Sequence, residues 1–104
     1  MVPLATTARE GRLIADYDDD ADVLYLSLGA AVPSESEEDP AGVVLRWSIQ
    51  SGEPSGATVV GYRCYSWSGR LPDLTSLVVH HLHVSANEAE QAIKKATTPR
   101  RLVR

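Results

Sequence analysis

The stretch Leu13-Ile14-Ala15-Asp16-Tyr17-Asp18-Asp19-Asp20-Ala21-Asp22-Val23-Leu24-Tyr25-Leu26-Ser27-Leu28 decides the fold. Leu13, Ala15 and Tyr17 alternate with Arg12, Ile14 and Asp16, the period of two of a β-strand. The run of aspartates then interrupts the alternation. Aspartate disfavours strand interiors and favours turns, because its carboxylate accepts hydrogen bonds from nearby backbone N–H groups. Beyond it Leu24, Leu26 and Leu28 share one face, while Val23, Tyr25 and Ser27 share the other. Gly29 ends the run. Two strands around a short acidic loop read as a β-hairpin.

Working toward the C-terminus, Pro33 to Pro40 is polar, acidic and bounded by prolines, which reads as a surface connection. A third strand is expected at Val43-Val44-Leu45-Arg46-Trp47. Ser51 to Gly56 reads as a loop. Thr58 to Trp67 reads as a fourth strand, with Thr58, Val60, Tyr62 and Cys64 on one face and Val59, Tyr65 and Trp67 on the other. Large apolar groups on both faces imply that something covers each side. Toward the N-terminus, residues 1–11 lack periodicity and read as a loose arm.

The last third reads as helical. Pro72 and Asp73 precede the stripe Leu74, Leu77, Val78, His81 and Leu82, spaced i, i+3, i+4, i+7, i+8. A strand over Leu77–Val84 is the rival reading, because the same residues also alternate. Ser85-Ala86-Asn87-Glu88 is a capping-box sequence that opens a second helix with a small apolar face of Ala89, Ala92, Ile93 and Ala96. Glu90 and Lys94 are spaced for an i,i+4 pair. The expected fold is therefore α+β: a four-stranded antiparallel β-meander over 12–67, then a helical hairpin over 71–98 packed on one face. A basic tail, 99–104, follows.

The chain has 104 residues, enough for a single domain spanning 1–104. Hydrophobic residues make up 43% and charged residues 23%, which excludes a disordered or collagen-like composition. The net charge of −4 is uneven. Residues 1–60 carry eleven acids and three bases, and residues 61–104 three acids and seven bases. The acidic half repels phosphates, so nucleic acid is not the expected partner. Leu74–Val84 falls far short of the roughly 20 residues that span a bilayer, so no membrane association is expected. One cysteine and no secretory pattern fit a reducing, cytoplasmic location.

Several clusters bear on chemistry. Asp18, Asp20 and Asp22 have the one-three-five spacing of a calcium loop. Position six is Val23 where glycine is needed, and position twelve is Gly29 where a glutamate is needed. They read as an acidic turn. For His80, His81 and His83, with Cys64 as a fourth group, only two ligands converge on either a helix or a strand, so no metal is assigned. Cys64 among Tyr62 and Val60 reads as a core thiol rather than a nucleophile. Glu35, Glu37 and Glu38 lie in a polar loop and lack the desolvated pocket that acid–base catalysis needs. Catalytic and cofactor-binding residues are accordingly none, and the expected cofactor is none. Leu77–Ala96 has a faint helix-turn-helix pattern, but Glu88 and Glu90 stand where a DNA-reading helix favours basic or amide residues.

Tyr17-Asp18-Asp19-Asp20-Ala21-Asp22-Val23-Leu24-Tyr25-Leu26 resembles the opening of the small bacterial domain of unknown function family numbered 2283. Glu35-Ser36-Glu37-Glu38, Pro40-Ala41-Gly42-Val43-Val44-Leu45 and Val59-Val60-Gly61 are similar to later family motifs, in the same order over about residues 12–67. Arg46-Trp47-Ser48-Ile49-Gln50-Ser51-Gly52 replaces the family's acidic turn, and Arg63 stands where the family has an acid. The resemblance implies a small antiparallel sheet and no set activity. It also implies, for some members, a place as partner half of toxin–antitoxin-type gene pairs.

These readings converge on a non-enzymatic protein–protein interaction module acting as a homodimer. The helices are expected to shelter Leu24, Leu26 and Leu28, leaving Tyr25, Trp47, Tyr65 and Trp67 as interface candidates on the other face. The alternative is an antitoxin-like DNA-binding regulator using the C-terminal helices; a metal or small-ligand binding protein is third.

Overall fold

The acidic hairpin forms as its sequence predicts. In the computed structural model, which describes residues 13–98, β1 (Leu13–Asp18) and β2 (Val23–Leu28) pair antiparallel, with Tyr17 opposite Leu24 and Ala15 opposite Leu26. The loose arm and the basic tail lie outside the described residues. In the turn, the Asp22 N–H donates to the Asp18 carbonyl at 2.8 Å and the Ala21 N–H to Asp18 Oδ1 at 3.1 Å. Asp22 itself has φ 60°. That left-handed conformation is one that aspartate tolerates better than most residues.

The sheet has five strands, not four. β3 (Ser34–Glu38), β4 (Val44–Ser48) and β5 (Pro54–Val60) complete an antiparallel sheet in the order β1-β2-β5-β4-β3. The segment expected as a surface connection is thus an edge strand. It lacks apolar alternation because four of its five residues are exposed. Its three glutamates also discourage pairing with a further strand. Nor is the order a simple meander. β5 returns to the centre, between β2 and β4, with Ala57 and Val59 on the helix side and Gly56, Thr58 and Val60 on the other.

β5 also ends sooner than its apolar pattern suggests. At Gly61, φ 73°, the chain leaves the sheet. The N–H groups of Gly61 and Tyr62 both donate to the Asp22 carbonyl, at 2.8 and 3.1 Å. A Cβ at position 61 would run into the Tyr65 ring, so glycine is required there for conformation and for space. A single 3-10 turn, Trp67–Gly69, then leads into α1 (Leu71–Leu82) and α2 (Ala86–Thr97).

The helix reading prevails over Leu77–Leu82. Pro72 sits in the first turn of α1, and His83, φ 60°, caps its end by donating its N–H to the Val79 carbonyl. Leu74, Val78, His81 and Leu82 are buried, as the stripe predicts. α2 begins with the Ser85 hydroxyl accepting from the Glu88 N–H at 3.0 Å. The other half of the capping box is diverted: the Glu88 carboxylate accepts from the Leu13 N–H at 3.2 Å. This latches the start of α2 to the start of β1.

Antiparallel partners share a face, so the register sorts the side chains. Leu24 and Leu26 on β2, Ala57 and Val59 on β5 and the neighbouring Val43 form a fully buried layer with Leu74, Val78, Leu82, Ala89 and Ile93. Each such Leu or Val stabilises the fold by about 1.5–3 kcal/mol through burial alone. Leu28, at the end of that layer, is half-buried. Both helices therefore cover one face of the sheet.

Candidate docking face

The opposite face carries the other set of side chains. One cross-strand row runs Asp16, Tyr25, Thr58, Val44 and Glu38; the next runs Ile14, Ser27, Gly56, Arg46 and Ser36. Val23 and Val60 pair beyond the first row. Ile14, Tyr25 and Val60 are 51%, 41% and 50% exposed. Exposed apolar side chains thus stand on β1, β2 and β5, with Asp16 and Asp18 also on β1 and Glu38 on β3.

Two polar features also mark this face. Thr58 is buried between Tyr25 and Val44, and its Oγ1 has no hydrogen-bond partner. Such an atom carries a desolvation cost of about 1–3 kcal/mol. Arg46 lies half-buried beside a basin of about 230 Å³ lined by four serines, Ser27, Ser34, Ser36 and Ser55, and by Ala31, Val32 and Val44. The ion pairs among the described residues, Arg63–Asp19 and Lys94–Glu90, do not include Arg46.

Of the four aromatics expected here, only Tyr25 lies on this face. Trp47 follows Leu45 in alternation and so points to the helix side, where its ring meets His81 edge-on at 4.9 Å. Trp67 is 4% exposed in the core, with the Arg70 guanidinium 4.1 Å from its ring centre. Tyr65 is 65% exposed, but it belongs to the turn after β5. The last two differ from expectation because the strand ends at Val60 and does not run on to Trp67. Ile14, Val44, Thr58 and Val60 replace them. Their signal was the period of two; which strands lay side by side was missing.

His81 is held as a structural group. Its Nε2 lies 3.1 Å from both the Arg46 and the Gly56 carbonyl oxygens, at the irregularity between Arg46 and Trp47. Both partners are acceptors, so Nε2 carries the proton. His80, His81, His83 and Asp39 border one cavity of about 450 Å³. Among the described residues, however, no three His, Cys, Asp or Glu side chains are arranged to hold a metal ion.

Asp22 is the second structural hub. Its Oδ1 accepts from the Tyr17 hydroxyl at 2.6 Å and the Arg63 N–H at 2.9 Å, and its Oδ2 from the Cys64 N–H at 2.9 Å. These bonds hold its carboxyl below the usual range, the Tyr17 bond contributing most. Burial, then the bond to Asp22, pushes the Tyr17 phenol up to about 12. Tyr17 and Asp22 thus pin the post-β5 turn to the hairpin. Cys64 is exposed in that turn rather than packed in the core, because β5 has already ended.

α2 has a packing role. Ala89 and Ile93 are buried, Glu88 is held by Leu13, and Glu90 pairs with Lys94 at 3.1 Å. A further cavity of about 570 Å³ opens between β1 and α2; its described lining includes Tyr17, Asp19 and Lys95 but no His, Cys or Ser. No helix among the described residues is long and apolar enough to cross a membrane. The chain matches no family model, no curated protein and no solved structure.

Proposed function

We propose that the protein is a non-enzymatic interaction module that forms a homodimer through the open face of its sheet. The observation that carries this reading is the set of exposed apolar side chains on one face, Ile14 on β1, Tyr25 on β2 and Val60 on β5, which neither helix covers. Exposed apolar side chains on a face that the helices leave uncovered make a surface whose burial is favourable. The acidic edge strand β3 and the Glu88 latch on β1 disfavour edge-to-edge growth, so face-to-face packing is the open route.

Five strands about 4.8 Å apart, with residues rising about 3.4 Å each, give a face roughly 24 by 20 Å. That is a small interface, so association on the order of micromolar is expected. Sedimentation equilibrium at tens of micromolar should report a dimer, and Tyr25→Asp should report a folded monomer. A wild-type chain that stays monomeric at those concentrations overturns the reading. The resemblance to the 2283 family is compatible with it and adds no activity.

A further inference from the structure

The open face is complementary to itself. Its β1 side carries Asp16 and Asp18, with no base among the described residues of their two rows; its β4 side carries Arg46, without a carboxylate partner among the described residues, beside a basin lined in part by four serines, and Glu38 lies beyond it on β3. In the order β1-β2-β5-β4, a two-fold axis between β2 and β5, running along the strands in the plane of contact, sets β1 of one copy over β4 of the other. It also sets β2 over β5. Tyr25 and Thr58 lie in the same row on β2 and β5, so each Tyr25 then faces Thr58 of the second copy.

We propose that two copies pack about this axis, with Asp16 of each copy entering the Arg46 basin of the other. This inference rests on the homodimer reading and specifies its geometry. Asp16 is offset from Arg46 by one row, two residues or about 6.8 Å along the strand, within reach of a long guanidinium side chain. Ile14, in the row of Arg46, covers the aliphatic stem of that side chain. The Ser27 and Ser34 hydroxyls already donate to the Gly29 and Val32 carbonyls and Ser55 bonds Ser34, so Ser36 is the hydroxyl that donates to the incoming carboxylate, and the guanidinium adds charge-assisted bonds. A rotation about χ1 of Thr58 exchanges its methyl and hydroxyl groups, which lets the orphaned hydroxyl bond the facing Tyr25 phenol. The acids and the arginine therefore select a second copy in one orientation.

The test is a charge exchange. Arg46→Asp and Asp16→Arg each place like charges in both contacts, so each variant alone should dimerise at least about tenfold more weakly than wild type. An equimolar mixture of the two variants restores both contacts. It should form a heterodimer within about threefold of the wild-type affinity. Circular dichroism verifies folding, with Arg46→Gln substituted if Arg46→Asp fails it; in that case loss of dimer in both Arg46→Gln and Asp16→Arg supports the pairing.

Dimerisation that Tyr25→Asp abolishes but neither charge variant alters overturns the pairing while leaving the homodimer reading intact. Weakening by Arg46→Asp alone, with inorganic phosphate bound by wild type and not by that variant, makes the basin a free-anion site and overturns the pairing. Weakening by both single variants without recovery in the mixture also overturns it. A monomeric wild type overturns both readings.

Discussion

Val59 and Val60 are chain neighbours of the same type on the same central strand, yet Val59 is fully buried and Val60 is half exposed. The difference lies in what covers each face of β5. Val59 points into the layer formed with α1 and α2; Val60 shares the open face with Tyr25 and Thr58. Substitutions on the covered face therefore test stability, whereas substitutions on the open face test the proposed association. A substitution that changes both equally would undo the distinction.

The largest effect is expected on the covered face. Leu24→Ala should lower unfolding free energy by about 3–4 kcal/mol in a urea titration, because Leu24 is fully buried between sheet and helices. A loss below about 1 kcal/mol would mean that the helices do not seal this face. His81→Ala comes next, at about 2 kcal/mol, since it strands the Arg46 and Gly56 carbonyls. Smallest is Val60→Ala. Measured on the monomer, it should change stability by no more than about 0.5 kcal/mol, while weakening the dimer.

The hub that joins the hairpin to the post-β5 turn sharpens the comparison through pH. The Asp22 carboxyl is depressed, so its contribution is present above its unfolded value and fades as pH falls through the folded one. The Tyr17 phenol is raised from 10.0 to about 12, so its contribution is present below pH 10 and is lost as pH rises toward 12. Thermal unfolding of Tyr17→Phe should therefore show a flatter decline than wild type across pH 10–12. An unchanged slope would show that Tyr17 is not held by burial and Asp22 as described.

Much of this was legible in the residues themselves. The hairpin, the α1 stripe and the Ser85 cap depend on local periodicity and turn chemistry, and all three appear in the structure. The β3 strand was not legible, because an edge strand wet on both faces carries no apolar alternation. Tyr65 and Trp67 lie outside the sheet because Gly61 turns the chain away from it, which periodicity alone does not reveal. That exit depends on the Asp22 carbonyl and carboxylate, roughly forty residues earlier, accepting four N–H groups.

The amino-acid order by itself determined the class of fold, the acidic turn and the two helices, because each follows from side-chain spacing within a few residues. Only the tertiary structure decided that β5 sits at the centre, that Trp47 and Trp67 face inward, and that Arg46 lies in a basin of serines. Those outcomes depend on which distant strands pair and where a helix lands. They are contacts between segments far apart in the chain, and local periodicity does not specify them.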